Sequence, residues 1–121
     1  MQKKINTHLL GKLRIYLPNG EKVHSKTLLR KLFPKQVYRK IIQEAKKDGI
    51  MNASAFITHF GYGKGGTIQN DGTAEIGNPF LTMCVELIDT KEKLQEFFIK
   101  HQDILAGKVV IYKEVEFWDA P

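Results

Sequence analysis

The alternation of apolar and polar residues near the start of the chain predicts a first β-strand. In residues 12–17, Leu13, Ile15 and Leu17 fall on one side, and mostly polar side chains fall on the other. This two-residue period is typical of a half-buried strand, and the following Pro18-Asn19-Gly20 is suited to a turn. We therefore expect one face of this strand to contribute to the core.

Two helical patterns follow the first strand. Residues 26–33 place apolar side chains opposite basic ones until Pro34 ends the pattern. Residues 35–48 keep apolar residues at helical spacing, and Gly49 is well placed to end that helix. The sequence thus predicts a short basic segment and a longer amphipathic helix before the next strand.

The rest of the chain predicts three more strands and a second helix. Strand character returns in residues 50–60, 80–88 and 108–118, the last with Val109, Ile111, Val115 and Phe117 on one face. A capping box with Asp89 as the N-cap opens the second helix. The order βαββαβ predicts an α+β ferredoxin-like sandwich, in which a four-stranded antiparallel sheet carries two helices on one face.

The predicted third strand, residues 80–88, is apolar on both faces. A strand with two apolar faces is covered on both sides. Helices of so short a chain can cover only one side of the sheet, so we expect further subunits to cover the other.

A glycine-rich loop separates the second and third strands. It begins with Gly61-Tyr62-Gly63-Lys64-Gly65-Gly66 and continues without helical or strand period to Pro79. Loops longer than about 12–15 residues inside compact domains are usually functional or disordered. The glycines match the spacing of a dinucleotide fingerprint, but no helix follows them, so a Rossmann site is not indicated. Backbone N–H groups in such a loop can still bind an anion.

Composition indicates one soluble domain spanning residues 1–121 and a basic surface. The formal net charge is +6, and residues 22–47 hold nine basic side chains against one acid. Such a patch favours an anionic partner, although a solvated helix face is the simpler interpretation. The one cysteine, Cys84, lies in an apolar run, which fits a small buried residue and a reducing cytoplasm. The basic N-terminus lacks the uninterrupted apolar run of a secretory signal or membrane span.

Several segments together resemble one family of small proteins. They are Lys12–Tyr16, Val37-Tyr38 through Ala45 to Gly49-Ile50, Gly61-Tyr62-Gly63, and Val85–Lys93. Over residues 12–117 the chain resembles the PII-like family called domain of unknown function 190, distantly related to PII signal-transduction proteins. The resemblance implies a trimer whose sheets pack around a central axis, ligand clefts between subunits, and a long mobile loop after the second strand.

The chain departs from the PII pattern in two places. Residues 26–33 are an insertion ahead of the first helix and contribute much of the basic charge. The connection 101–108 lacks the glycine- and lysine-rich phosphate loop of nucleotide-binding PII proteins and keeps only Gly107-Lys108. Adenine nucleotide binding is therefore an analogy with the family and not a motif match.

The leading hypothesis is a non-catalytic regulatory homotrimer. It would bind a small anionic metabolite, with an adenine nucleotide favoured, and signal through loop 61–79 to a protein partner such as a membrane transporter. The candidate ligand-binding residues are Gly61, Tyr62, Gly63, Lys64, Arg14 and Lys108.

The alternative hypothesis is a nucleic-acid-binding ferredoxin-like domain. It is disfavoured because Phe80 lies on a face that looks buried by association, and not on an open stacking surface. No spacing of histidines indicates a metal site, and no nucleophile has a neighbouring base, so we expect neither a metal nor catalysis.

Overall fold

The computed structural model describes residues 5–23, 36–58, 60–62, 67–70 and 81–120. Within them, the strands are β1 (Asn6–Pro18), β2 (Asn52–Ile57), β3 (Phe60–Gly61), β4 (Gln69–Asn70), β5 (Thr82–Asp89) and β6 (Val109–Asp119). The helices are α1 (Val37–Lys47), α2 (Lys91–Lys100) and the one-turn α3 (Gln102–Leu105). None of these helices has the length and apolar character needed to cross a membrane. Segment 26–33 lies outside the described residues.

Four strands form one antiparallel sheet in the order β2-β5-β1-β6. Ile15 of β1 lies opposite Val85 of β5 on one side and opposite Val110 of β6 on the other. This order places the first and third long strands in the centre, as in a ferredoxin-like fold. The predicted α+β ferredoxin-like class is thereby confirmed, with α3 as a short addition to the two expected helices.

Alternation along the two central strands builds the core on one face of the sheet. Leu13, Ile15 and Leu17 are buried as predicted, and Met83, Val85 and Leu87 of β5 join them. Residues Ile41 and Ala45 of α1 and Leu94 and Phe97 of α2 cover these six side chains. Because apolar burial is the main favourable contribution to folding, these two helices and the central strands hold the domain together.

The opposite, helix-free face of the sheet mixes charge with exposed apolar side chains. Glu86 lies at its centre, 3.0 Å from Arg14 Nε and 3.6 Å from Lys12 Nζ. Residues 109, 111, 115 and 117 all lie on this face, so the prediction that they share one face of the last strand is confirmed. Phe56, Ile111 and Phe117 on this face are exposed in the single chain. The inward residues of β6, Val110 and Tyr112, were not singled out from the sequence.

Two boundaries differ from those that the sequence predicts. The first strand begins at Asn6 and not at residue 12, because residues 6–16 pair along their whole length with β6. Residues 50–60 are not one continuous strand: β2 ends at Ile57, and Phe60–Gly61 pairs separately with Gln69–Asn70. The loop predicted for 61–79 therefore contains a short two-stranded pairing near its base.

The N-cap of α2 is Thr90, so the assignment of Asp89 as the cap was wrong. The Thr90 side chain accepts a hydrogen bond from Lys93 N, at 3.3 Å. Asp89 is buried, and its carboxylate accepts bonds from Thr90 N at 2.7 Å and Met51 N at 2.8 Å. Both residue types favour N-cap positions, but the strand pairing of Asp89 holds its backbone in β5.

Glycines end two elements through backbone conformations that other residues rarely adopt. Gly49 follows α1 with φ 74°, which confirms its predicted position at the end of that helix. Gly107 has φ 78° and directs the chain from α3 into β6. Left-handed backbone of this kind is accessible to glycine without the steric cost of a Cβ atom.

Candidate functional site

Lys108 and the strand to which the glycine-rich loop is attached lie at the same end of the sheet. Pro18 pairs with Thr82, Ile57 pairs with Met83, and Tyr16 pairs with Val109. The C-terminal ends of β1 and β2 and the N-terminal ends of β5 and β6 therefore meet at this end. We call it the loop end of the sheet, because the glycine-rich loop leaves β2 there.

Lys108 lies at the loop end, where α3 gives way to β6. Its backbone N–H donates to Leu105 O at 3.2 Å, and its ammonium group lies 3.2 Å from Glu21 Oε1. The Lys108 side chain is largely buried. The backbone carbonyl of Glu21 in turn accepts the N–H of Val37 at the start of α1, at 2.9 Å. The ion pair thus links the start of β6 to the start of the first described helix.

The ion pair between Lys108 and Glu21 leaves one carboxylate oxygen of Glu21 without a hydrogen bond. Glu21 Oε2 is buried and has no hydrogen-bond partner among the described residues. Buried carboxylate oxygens are normally satisfied, so an unpartnered one is suited to receive a donor such as a hydroxyl or amine. Beside Lys108, a cavity of about 390 Å³ is lined by Phe98, Gln102, Leu105 and Gly107, among others.

Arg14 faces away from that cavity. It lies on the helix-free face, where Glu86 accepts its Nε–H at 3.0 Å. The hydrogen bond with Glu86, followed by one with Tyr16, raises the pKa of Arg14 above its ordinary value. Because Lys108 lines a cavity on the helix side, Arg14 and Lys108 lie on opposite faces of the sheet within one chain.

The base of the glycine-rich loop lies at the other edge of the sheet from Lys108. Gly61 pairs with Gln69, and the neighbouring Tyr62 is exposed to solvent. The strand order puts β2 and β6 three spacings apart, roughly 14 Å at about 4.8 Å per spacing. Gly63 and Lys64 lie outside the described residues. Within one copy, Lys108 and the strand to which the loop is attached therefore lie at opposite edges of the sheet.

Sequence reasoning missed Glu21 as a site residue. Its partner Lys108 is 87 positions away, and no local pattern connects the two. Glu86 was not predicted as a partner of Arg14, because that contact depends on strand register. Within the described part of the chain, no cluster of three His, Cys, Asp or Glu side chains could hold a metal ion.

The chain belongs to the DUF190 family, described as "Uncharacterized ACR, COG1993", whose family model matches residues 10–117. The resemblance drawn from the sequence is confirmed. No curated protein matches the sequence.

The fold is similar to those of solved PII-like proteins. CPII from Thiomonas intermedia K12, in a structure bound to ADP and bicarbonate, superposes with a TM-score of 0.60 at 14% identity, covering 94% of this chain and 93% of that one. The apo form of CPII superposes with a TM-score of 0.56 at 12% sequence identity, covering 97% of this chain and 100% of that one. A putative PII-like signaling protein from Thermus thermophilus superposes with a TM-score of 0.55 at 14% sequence identity, covering 94% of this chain and 92% of that one. At these identities the similarity shows a shared PII-like fold.

Proposed function

We propose that this protein is a non-catalytic, cytoplasmic regulatory homotrimer of one PII-like domain. It binds a small anionic metabolite, with an adenine nucleotide favoured, in clefts between subunits. The observation that carries the proposal is the placement of the candidate residues. The glycine-rich loop is attached to β2, at the opposite edge of the sheet from Lys108 at the start of β6. A cleft in which the β2 edge of one copy lies beside the β6 edge of the next would bring them together.

The helix-free face supports assembly. Phe56, Ile111 and Phe117 are exposed there in the single chain, around a centre in which Glu86 is paired with Arg14 and Lys12. Large apolar side chains that are exposed in one copy can be buried by further subunits, and the ion pairs of Glu86 leave its charge matched at the centre of the face. A second copy of the same face is the simplest cover, because closed cyclic assembly is common among soluble proteins.

The cleft would offer complementary groups to a nucleotide. Lys108 supplies positive charge at a cavity whose lining is partly apolar and partly polar, with Leu105 and Gln102 among its walls. Gly61, Tyr62, Gly63 and Lys64 of the neighbouring copy would contribute backbone donors and one cation, and Arg14 would add charge from the helix-free face. CPII, which shares the fold, was solved with ADP and bicarbonate. Occupancy would order loop 61–79 and change its fit to a protein partner, for which a membrane transporter is a candidate.

Calorimetric titration with ATP, ADP, AMP and cyclic AMP, together with the oligomer mass, tests this proposal. We expect a trimer that binds about one nucleotide per subunit, and we expect Lys108→Ala to weaken binding at least tenfold. Lys46→Ala is the matched control, since Lys46 is an exposed lysine of α1. A trimer that binds none of the four nucleotides would refute the ligand assignment, and a monomer would refute the intersubunit cleft.

A second candidate, single-stranded nucleic acid binding, is favoured by one observation. The helix-free face carries exposed Phe56 and Phe117 together with basic Lys12, Arg14 and Lys113, a mixture that suits base stacking and phosphate contact. However, Phe56 pairs near the loop end on β2, and Phe117 lies at the far end of β6. The two rings therefore do not form one platform. The residue that disfavoured this function from sequence, Phe80, lies outside the described residues.

A labelled single-stranded RNA tests the second candidate. Binding at low micromolar protein that weakens steeply with added salt would support it, because phosphate contacts release counterions. Loss of that binding in Phe56→Ala would place it on the sheet. Absence of binding at low salt would remove the candidate.

A further inference from the structure

The strands β1 and β6 extend beyond the rest of the sheet. Register with β5 begins only at Gly11, which lies opposite Asp89, whereas the pairing of β1 with β6 continues to Asn6 opposite Asp119. We call residues 6–10 and 115–119 the terminal ribbon. Because an isolated pair of strands is marginally stable in water, a further surface that packs against this extension of the sheet would stabilise it.

The terminal ribbon carries large apolar side chains that are exposed to solvent. Leu9 is 70% exposed and Trp118 is 62% exposed, and both belong to the face of β1 and β6 that is continuous with the core side. Phe117 and His8 lie on the other side, with ring centroids 6.1 Å apart. Trp and other aromatic side chains bury about 150–250 Å² each and dominate the energetics of interfaces. Their exposure on both faces of the ribbon indicates an interaction surface.

A matching apolar groove lies between α2 and β6. Its cavity volume is about 570 Å³, and its walls include Leu94, Phe98, Ile99, Val110 and Tyr112. Ile99 is 68% exposed, so the groove is open to solvent in one copy. Lys91, which stands over the Tyr112 ring at 5.6 Å, provides a positive charge at the rim.

The terminal ribbon of a chain cannot fill its own groove. Trp118 is six residues beyond Tyr112 along a paired strand, which at about 3.4 Å per residue places it roughly 20 Å farther along β6. Turning back would break the pairing of β6 with β1. The occupant of the groove must therefore come from another molecule or from another segment.

We propose that the terminal ribbon of one copy packs into the groove between α2 and β6 of the next copy, with Trp118 and Leu9 as its apolar anchors. Every copy carries both surfaces, so one contact repeated around a ring covers each ribbon and each groove. The charges agree: residues 6–10 and 115–119 include Glu116 and Asp119 but no lysine or arginine, and the groove rim carries Lys91. This inference rests on the proposed homotrimer and adds a specific intersubunit contact to it.

Trp118 is the only tryptophan of the chain, so its fluorescence reports this contact directly. In the assembled wild-type protein we expect short-wavelength emission and weak quenching by acrylamide, although the indole is exposed in a single copy. Ile99→Glu in the groove should shift the emission to longer wavelength and increase quenching. Met51→Glu is the matched control, because Met51 is also an exposed apolar residue but follows α1. It should leave both readouts unchanged.

A mixing experiment tests that the contact is made between copies. Ile99→Glu chains are refolded with an excess of Trp118→Phe chains, so that most of the remaining tryptophans meet an intact groove. Recovery of short-wavelength emission supports the contact between copies. Failure to recover it overturns the proposal.

Further outcomes separate this inference from the proposed function. A trimer with fully quenchable Trp118 would refute the ribbon contact and leave the trimer standing, and so would protection that Ile99→Glu does not change. A monomeric mass would refute the trimer and this contact together. Failure to bind nucleotides would refute the ligand assignment alone, since the fluorescence readout needs no ligand.

Discussion

At the scale of single residues, Gly11 shows how one missing side chain permits the packing of another. A Cβ atom at position 11 would lie 2.4 Å from a ring carbon of Tyr112 and 2.9 Å from its hydroxyl. It would also lie 3.0 Å from a methyl group of Leu94. The Tyr112 ring therefore crosses β1 where only glycine leaves room, next to the groove that it helps to form.

We predict that Gly11→Ala lowers the free energy of unfolding by about 1–3 kcal/mol, since the ring must move out of a packed position. Urea unfolding of the variant measures the loss. The double variant Gly11→Ala, Tyr112→Leu provides the control, because removing the ring should relieve most of the clash. If the alanine costs the same with and without the Tyr112 ring, the steric explanation is wrong.

Asp48 links the ends of two helices through charged partners. Its carboxylate accepts from Lys100 Nζ at 2.7 Å and lies 2.8 Å from His101 Nε2, and His101 packs against the Phe97 ring. The hydrogen bond from Lys100, and then that from His101, hold the pKa of Asp48 below its ordinary value of 3.8. This carboxylate therefore stabilises the folded chain when it is ionised.

The pKa of Asp48 is lower in the folded chain than in the unfolded chain. The resulting stabilisation is fully present above the pKa of the unfolded chain, and it is lost as the pH falls through the pKa of the folded chain. We predict that Asp48→Asn costs about 1–2 kcal/mol near neutral pH and progressively less below about pH 4. Unfolding by urea across this pH range measures the difference. Asp103→Asn, at an exposed position, is the control. A cost that stays constant down to the most acidic pH would argue against the ionic contribution.

At the scale of elements, the junction of β5 with α2 depends on two adjacent polar residues with different tasks. Thr90 caps the helix through one bond to Lys93 N, whereas Asp89 holds both Thr90 N and Met51 N. Asp89 thereby connects the beginning of α2 to the backbone just before β2. The same carboxylate lies 3.5 Å from Lys93 Nζ.

We predict that Thr90→Ala costs about 1 kcal/mol, the typical loss of an N-cap. Asp89→Ala should cost more, because it leaves two partly buried backbone donors without their acceptor. Thermal and urea unfolding followed by circular dichroism compares the two variants. An equal or smaller cost for Asp89→Ala would show that its bonds to the backbone contribute little.

The pattern of apolar residues predicted the four strands of the main sheet and its two longer helices, but not their exact ends, nor β3, β4 and α3. Alternation in residues 12–17 and helical spacing in 35–48 predicted the buried side chains, because burial on one face imposes those periods directly. The early start of β1 was not visible, since residues 6–11 have no clean alternation and become strand by pairing with β6. The choice between Asp89 and Thr90 as N-cap was also undetermined locally, because both residue types cap helices well.

The candidate site was less predictable than the fold. The glycines at 61–66 and the lysine at 108 stand out by composition, but the partner of Lys108, Glu21, is 87 positions away. Their meeting depends on how α1 and β6 pack, which no local period encodes. Likewise, the placement of Arg14 and Lys108 on opposite faces follows from strand register and not from residue type.

At the scale of the whole molecule, the glycine-rich loop should be separable from assembly. We predict that deleting residues 64–76 leaves the fold and the trimer intact and abolishes the ligand-dependent response, because the deletion lies outside the four-stranded sheet and the helices. Light scattering gives the mass, and partner binding with and without nucleotide gives the response. Loss of the trimer on deletion would instead assign the loop a structural role.

The loop is attached to β2, at the opposite edge of the sheet from Lys108. This arrangement makes the proposed response depend on the amount of protein in the cell. If one copy holds only half of each cleft, an isolated chain binds the metabolite weakly, and binding is coupled to association of the subunits. Responsiveness then depends on expression as well as on the metabolite, and it would appear only above the protein concentration at which subunits associate. Such a protein would report the metabolite only in cells that already contain enough of the protein for its subunits to associate.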